Sequence, residues 1–88
     1  MKKDVKIVLV RRLENIVYDF YECLADYECQ DFEKYAKSKH REYQHRVREI
    51  ENIIECFGYK DDTCLNILLY DARNEMNEIF NYHINLYK

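Results

Sequence analysis

The sequence predicts an all-α fold: an up-down-up three-helix bundle with helices over about residues 4–29, 32–57 and 62–87. Three observations predict it. Apolar residues recur at alternating steps of three and four along nearly the whole chain, which places them on one stripe of a helix. The 88 residues hold no proline and a single glycine, Gly58, so helix interiors meet almost no breaker. The second and third stripes also keep one antiparallel register from end to end. Residues 1–88 therefore form one helical domain, near the lower size at which a core sustains itself, and self-association joins the expectations.

In the first helix Asp4 is placed to cap a stripe of Val10, Leu13, Val17, Phe20 and Leu24. The β-branched run Val5 to Val10 also suits a strand, but no second strand-like segment exists to pair with it. Leu9, Ile16, Tyr18, Tyr21 and Tyr27 lie off the stripe and widen the apolar face beyond what one neighbouring helix covers. That excess marks helix one as a partner-binding or dimerising face.

Continued past Leu24 and Tyr27, the first stripe lands on polar Asp31, Lys34 and Ser38, whereas the second runs through Ala36, His40, Tyr43, Val47, Ile50, Ile54 and Phe57. The change of phase predicts a break near Gln30–Asp31, with Asp31 capping helix two; one continuous helix in a swapped dimer is the alternative. Gly58 is positioned to close helix two in the left-handed region. Asp61, Asp62 and Thr63 each offer a cap for helix three, whose stripe is Leu65, Leu69, Ala72, Met76, Ile79, His83 and Leu86. Facing residues of an antiparallel pair have numbers of near-constant sum. The seams comply, pairing Phe57 with Leu65, Ile54 with Leu69, Ile50 with Ala72, Val47 with Met76, Tyr43 with Ile79, His40 with His83 and Ala36 with Leu86. Helices one and two pair likewise, including Phe20 with His40, Leu13 with Val47 and Val10 with Ile50.

The net charge of -3 and pI near 5.6 give no global attraction to nucleic acid or anionic lipid. Lys6 interrupts the N-terminal apolar run and Arg11–Arg12 close it, so it is too short for a secretion signal, and no stretch reaches membrane-spanning length. A cytoplasmic, membrane-free protein is expected, with its four cysteines as free thiols; Cys56 and Cys64 flank the second turn. The wealth of Tyr, Asn, Ile and Lys beside scarce Gly, Pro and Trp resembles translation from an AT-rich genome, as in a low-GC bacterium or its phage.

Three groups of side chains invite a functional reading. His40 and His83 face each other in the predicted register with Cys23 about a turn away, a set of the right chemistry for zinc. The spacing lacks any His-x-x-x-His or Cys-x-x-Cys element, so packed, hydrogen-bonded rings are expected there and no metal or other cofactor. Lys34, Lys37, Arg41, His45 and Arg48 form a basic ridge on helix two, suited to phosphates or to an acidic protein surface. Acidic stripes answer it, Asp19, Glu22 and Asp26 on helix one and Asp71, Glu75 and Glu78 on helix three, which disfavours nucleic acid. Nine tyrosines supply contact area of the kind favoured at protein interfaces.

Glycine-rich phosphate loops, nucleophile elbows and inward-facing carboxylate sets are absent from the sequence, so no enzyme is expected. The leading expectation is a small non-enzymatic protein–protein interaction or regulatory module. A phage or mobile-element inhibitor of a bacterial protein is one specific form of it. A nucleic-acid-binding regulator using the helix-two ridge and a small metal-binding bundle are the alternatives.

Overall fold

A computed structural model describes residues 2–26 and 31–86, with side chains from residue 5 onward. The chain forms α1 (Lys2–Ala25), α2 (Phe32–Cys56) and α3 (Thr63–Leu86). Each helix packs against both others in an all-α three-helix bundle. The bundle is 46 Å long and 17 by 15 Å across. No strand occurs among the described residues, and Val5 to Val10 lies inside α1. A helix satisfies the peptide groups of that run internally, whereas a lone strand has no ladder partner. No helix among the described residues is long and apolar enough to cross a membrane.

The first boundary differs from expectation at both ends of α1. The helix starts at Lys2, because neither Lys2 nor Lys3 opposes helix formation, so Asp4 falls within the first turn rather than ahead of it. Its other end is Ala25; residues 27–29, expected as the last turn and including Tyr27 and Cys29, lie outside the described residues, as does Tyr87. α1 folds back onto α2 of the same chain instead of continuing into it. Asp31 takes the N-cap position of α2 but with φ 69° and no side-chain capping bond. A capping oxygen reaches the free N–H groups from the extended region, so the left-handed backbone removes that role. The Asp31 carbonyl still accepts from the Tyr35 N–H at 3.3 Å.

The second turn is built as its residues predict. Helix two ends at Cys56, Phe57 is its C-cap, and Gly58 follows at φ 79°. The Gly58 N–H donates to the Glu55 carbonyl at 3.0 Å and the Tyr59 N–H to the Ile54 carbonyl at 2.9 Å, the two-bond closure of a Schellman motif. Tyr59 packs half-buried against the core. Of the three possible caps for α3, Asp62 is used: its Oδ1 accepts from the Leu65 N–H at 3.0 Å. The Asp62 Oδ2 pairs with the Lys6 ammonium, which ties the start of α1 to the start of α3.

That link makes a pH-dependent prediction. The Lys6 hydrogen bond, followed by the Leu65 N–H, holds the Asp62 carboxyl below its ordinary 3.8, while the bond to Asp62 raises the Lys6 ammonium above its ordinary 10.5. A depressed acid contributes stability that is present above its unfolded value and lost as pH falls through the folded one. A raised base contributes stability that is present below its unfolded value and lost as pH rises through the folded one. Asp62→Asn keeps a capping oxygen without the charge, and Asp62→Ala removes both. Melting temperatures at pH 7 are expected in the order wild type, Asn, Ala. The gap between wild type and Asn closes below about pH 4, and a gap unchanged at pH 2.5 would contradict the pairing.

The core comprises Leu9, Leu13, Phe20 and Leu24 of α1, Phe32, Ala36, Tyr43, Val47, Ile50 and Ile54 of α2, and Leu65, Leu69, Ala72 and Met76 of α3. Most of the predicted seams are therefore buried, with corrections at their margins. Leu9 is 3 % exposed and belongs to the core, not to an outer face, whereas Val10 and Val17 are half-buried on the side toward α3. Phe57 and Leu86 are exposed at 58 % and 60 %. Phe57 is where the chain leaves the helix direction, and at the other end Phe32, close to the His83 ring, is the buried residue in place of Leu86.

Candidate docking face

The layer predicted to hold His40, His83 and Cys23 divides into two. His40 lies against the rings of Phe20, 5.8 Å between centroids, and Phe80, 4.7 Å. Its Nε2–H donates to Asn77 Oδ1 at 2.8 Å, and Gln44 donates to the same oxygen at 3.4 Å. His83 is 5 % exposed and turns the other way: its Nδ1–H donates to the Ile79 carbonyl at 2.9 Å, and its ring meets Tyr21 and Tyr82 edge-on at 5.7 and 5.3 Å. The expected His40–His83 pairing is thus replaced by His40–Phe80, one turn earlier on α3. Cys23 shares a 3.3 Å contact with the Tyr43 hydroxyl. His40, His83 and Cys23 each have a different partner, and among the described residues no group of three or more His, Cys, Asp or Glu is placed to hold a metal ion. Cys23, Cys56 and Cys64 are free, the last two exposed.

Of the residues expected on the helix-one face, Tyr21 reaches the α1–α3 flank, where its ring meets His83. Ile16 is half-buried, Tyr18 is 60 % exposed and Tyr21 46 % exposed; Tyr27 lies outside the described residues and Leu9 is withdrawn into the core. A hydrogen bond to Glu22, one turn on, keeps the Tyr18 phenol protonated above its ordinary range. Beside these residues runs a groove of about 180 Å³ whose apolar walls are Val10, Leu13, Val17, Leu68 and Ala72 and whose rim is Glu14, Asp71 and Glu75. One turn beyond Val17 stands the aromatic cluster of Tyr21, His83 and Tyr82, with Tyr82 62 % exposed. Tyr82 was missed by sequence reasoning. It lies off the α3 stripe, and the signal that finds it is its position next to a seam histidine that turns toward α1.

On the opposite flank of α3 the basic ridge acquires a second wall. Arg41, His45 and Arg48 of α2 line an open cleft of about 460 Å³ together with Gln44, Glu51 and Arg73. Arg73 pairs with Glu51 at 3.0 Å across the helices, and along α2 His45 sits 3.5 Å from Glu49 and Lys37 3.3 Å from Glu33. Lys34 extends the ridge outside the cleft, exposed to solvent. Arg73 was not among the expected ridge residues, although the antiparallel register already sets position 73 opposite position 51.

Set against protein-family models, curated proteins and solved structures, the chain matches no family model, no curated protein and no solved structure, so its own residues carry the functional reading.

Proposed function

We propose that this chain is a non-enzymatic protein–protein interaction module that docks its partner on the α1–α3 flank. The observation that carries the reading is the aromatic cluster of Tyr21, His83 and Tyr82, in which a buried imidazole positions two outward tyrosine rings at the end of an apolar groove. Rings held by packing lose little further freedom on binding, and tyrosine brings large contact area with a polar tip. Exposed aromatic rings beside an apolar groove are surface features enriched at protein interfaces. The groups with potential for catalysis are engaged elsewhere, His40 with Asn77, His83 with a main-chain carbonyl and Cys23 with Tyr43.

Capture from an extract of the cells that make the protein tests this. Immobilised wild type is expected to retain a discrete partner that the Tyr18→Ser/Tyr21→Ser/Tyr82→Ser variant loses. Tyr70→Ser, which removes a ring exposed at 65 % and outside the groove lining, is expected to retain it. Circular dichroism of each variant controls for folding. Equal capture by the triple variant and wild type would remove the α1–α3 flank from consideration.

A further inference from the structure

The two flanks of α3 carry opposite charge, and much of that charge is not neutralised inside the molecule. On the α1 side Asp71 and Glu75 rim the apolar groove, and Glu78 continues the row. On the α2 side Arg41 and Arg48 stand over the open cleft. None of these five residues makes a salt bridge among the described residues, although Lys6, Lys37, Lys39, Arg46 and Arg73 each do.

We propose that the groove between α1 and α3 is occupied by a second copy of this chain, seated through its α2 ridge. The proposal rests on the reading of the α1–α3 flank as a docking face. Spacing supports it as well as sign. Asp71, Glu75 and Glu78 advance by four and then three residues, and so do Arg41, His45 and Arg48. Both rows therefore span two helical turns, roughly 10.5 Å, with the same rotation about the axis. With the two helices running in the same direction, Arg41 meets Asp71 and Arg48 meets Glu78, with Glu75 between them. The aliphatic stems of Arg41 and Arg48 then cover the apolar groove while their guanidinium groups reach its rim.

Nucleic acid is the weaker occupant of the ridge. Glu33 and Glu51 pair with Lys37 and Arg73, leaving separated guanidinium groups in place of a continuous track along a phosphate chain. The groove that accepts and the ridge that inserts are different surfaces of one chain. The contact is thus heterologous, and a bound pair still presents one free surface of each kind, so association continues past the dimer.

Sedimentation of the purified full chain tests the assignment. At about 50 mM salt the average mass is expected to rise with concentration, and raising salt to about 500 mM is expected to weaken association by ~10-fold or more as screening shortens the reach of exposed charges. Arg41→Glu/Arg48→Glu alone and Asp71→Lys/Glu75→Lys alone are each expected to remain monomeric with unchanged helical content. Mixed in equal amounts they associate again, since each supplies the sign of charge that the other has lost. A monomer at every concentration, or association unaffected by either reversal, overturns the proposal. So does a monomeric wild type that binds a labelled single-stranded oligonucleotide through Arg41 and Arg48. If the chain stays monomeric while tyrosine-dependent capture persists, the docking face stands and the second copy falls; if mass rises, is lost with either reversal and no other protein is captured, the flank serves self-association alone.

Discussion

Replacing Phe20 with alanine is expected to lower stability by about 3–5 kcal/mol, enough to consume most of the margin of a domain this small. Phe20 is fully buried, and its ring meets His40 at 5.8 Å and Tyr43 at 5.6 Å between centroids. Truncation therefore loses the transfer free energy of the ring and also opens a space between α1 and α2. The flanking rings cannot close that space by small rotations, because His40 is held by Asn77 and Tyr43 lies against Cys23. Urea titration followed by helical circular dichroism measures the change. A loss under about 1 kcal/mol would mean that this layer collapses freely and that its packing is not specific.

Tyr43 provides the second large effect, and it appears in alkali. Burial first, then the bond to Cys23, pushes its phenol from an ordinary 10.0 up to about 12, while the nearby Arg46 cation works in the opposite direction. The folded value lies above the unfolded one, so the stabilisation is complete below pH 10 and is lost as pH climbs toward 12. Two units correspond to at most about 2–3 kcal/mol. Tyr43→Phe removes the titrating group and keeps the ring. It is expected to change stability at pH 7 by less than about 1 kcal/mol, the worth of one weak hydrogen bond to sulfur. Above pH 10 it is expected to lose stability less steeply than wild type. Parallel alkaline slopes for the two proteins would show that Tyr43 is not the group responsible.

How far the fold could be read from sequence depended on what each residue responds to. The seams were legible because burial repeats with the helical period: Ala36, Tyr43, Val47, Ile50 and Ile54 are buried, and so are Leu65, Leu69, Ala72 and Met76. The second turn was legible because Gly58 and Asp62 answer to local backbone chemistry. Leu9 and Val10 were harder to place. They are adjacent in the run Ile7 to Val10, four apolar residues in succession, so the pattern alone does not say which of the two faces the bundle axis. Asp31 misled in another way, since its side chain suits a cap while its backbone adopts a conformation that cannot use it.

The candidate surfaces were legible by halves. Tyr18 and Tyr21 on α1, and Arg41, His45 and Arg48 on α2, follow from one helix at a time. Their partners across the interhelical lines, Tyr82 for the aromatic cluster and Arg73 for the cleft, require the register between helices. The rotation of His83 toward α1 was not contained in periodicity at all. It depends on a hydrogen bond to the Ile79 carbonyl that competes with facing His40.

The closing bonds of the 57–62 turn bear on the order in which the molecule assembles. The two bonds of the Schellman closure join residues three and five positions apart, Gly58 to Glu55 and Tyr59 to Ile54, and the Asp62 cap reaches three residues ahead. Setting the α2–α3 hairpin therefore demands little loop-closure entropy and no information from α1. At the entry to α2 Asp31 contributes a left-handed residue with no side-chain capping bond. Helix α1 gains its anchor at the far end instead, through Lys6 reaching the Asp62 cap that the hairpin has already formed. The α2–α3 hairpin is therefore expected to form ahead of the docking of α1, and φ-values higher in α2 and α3 than in α1 check this order.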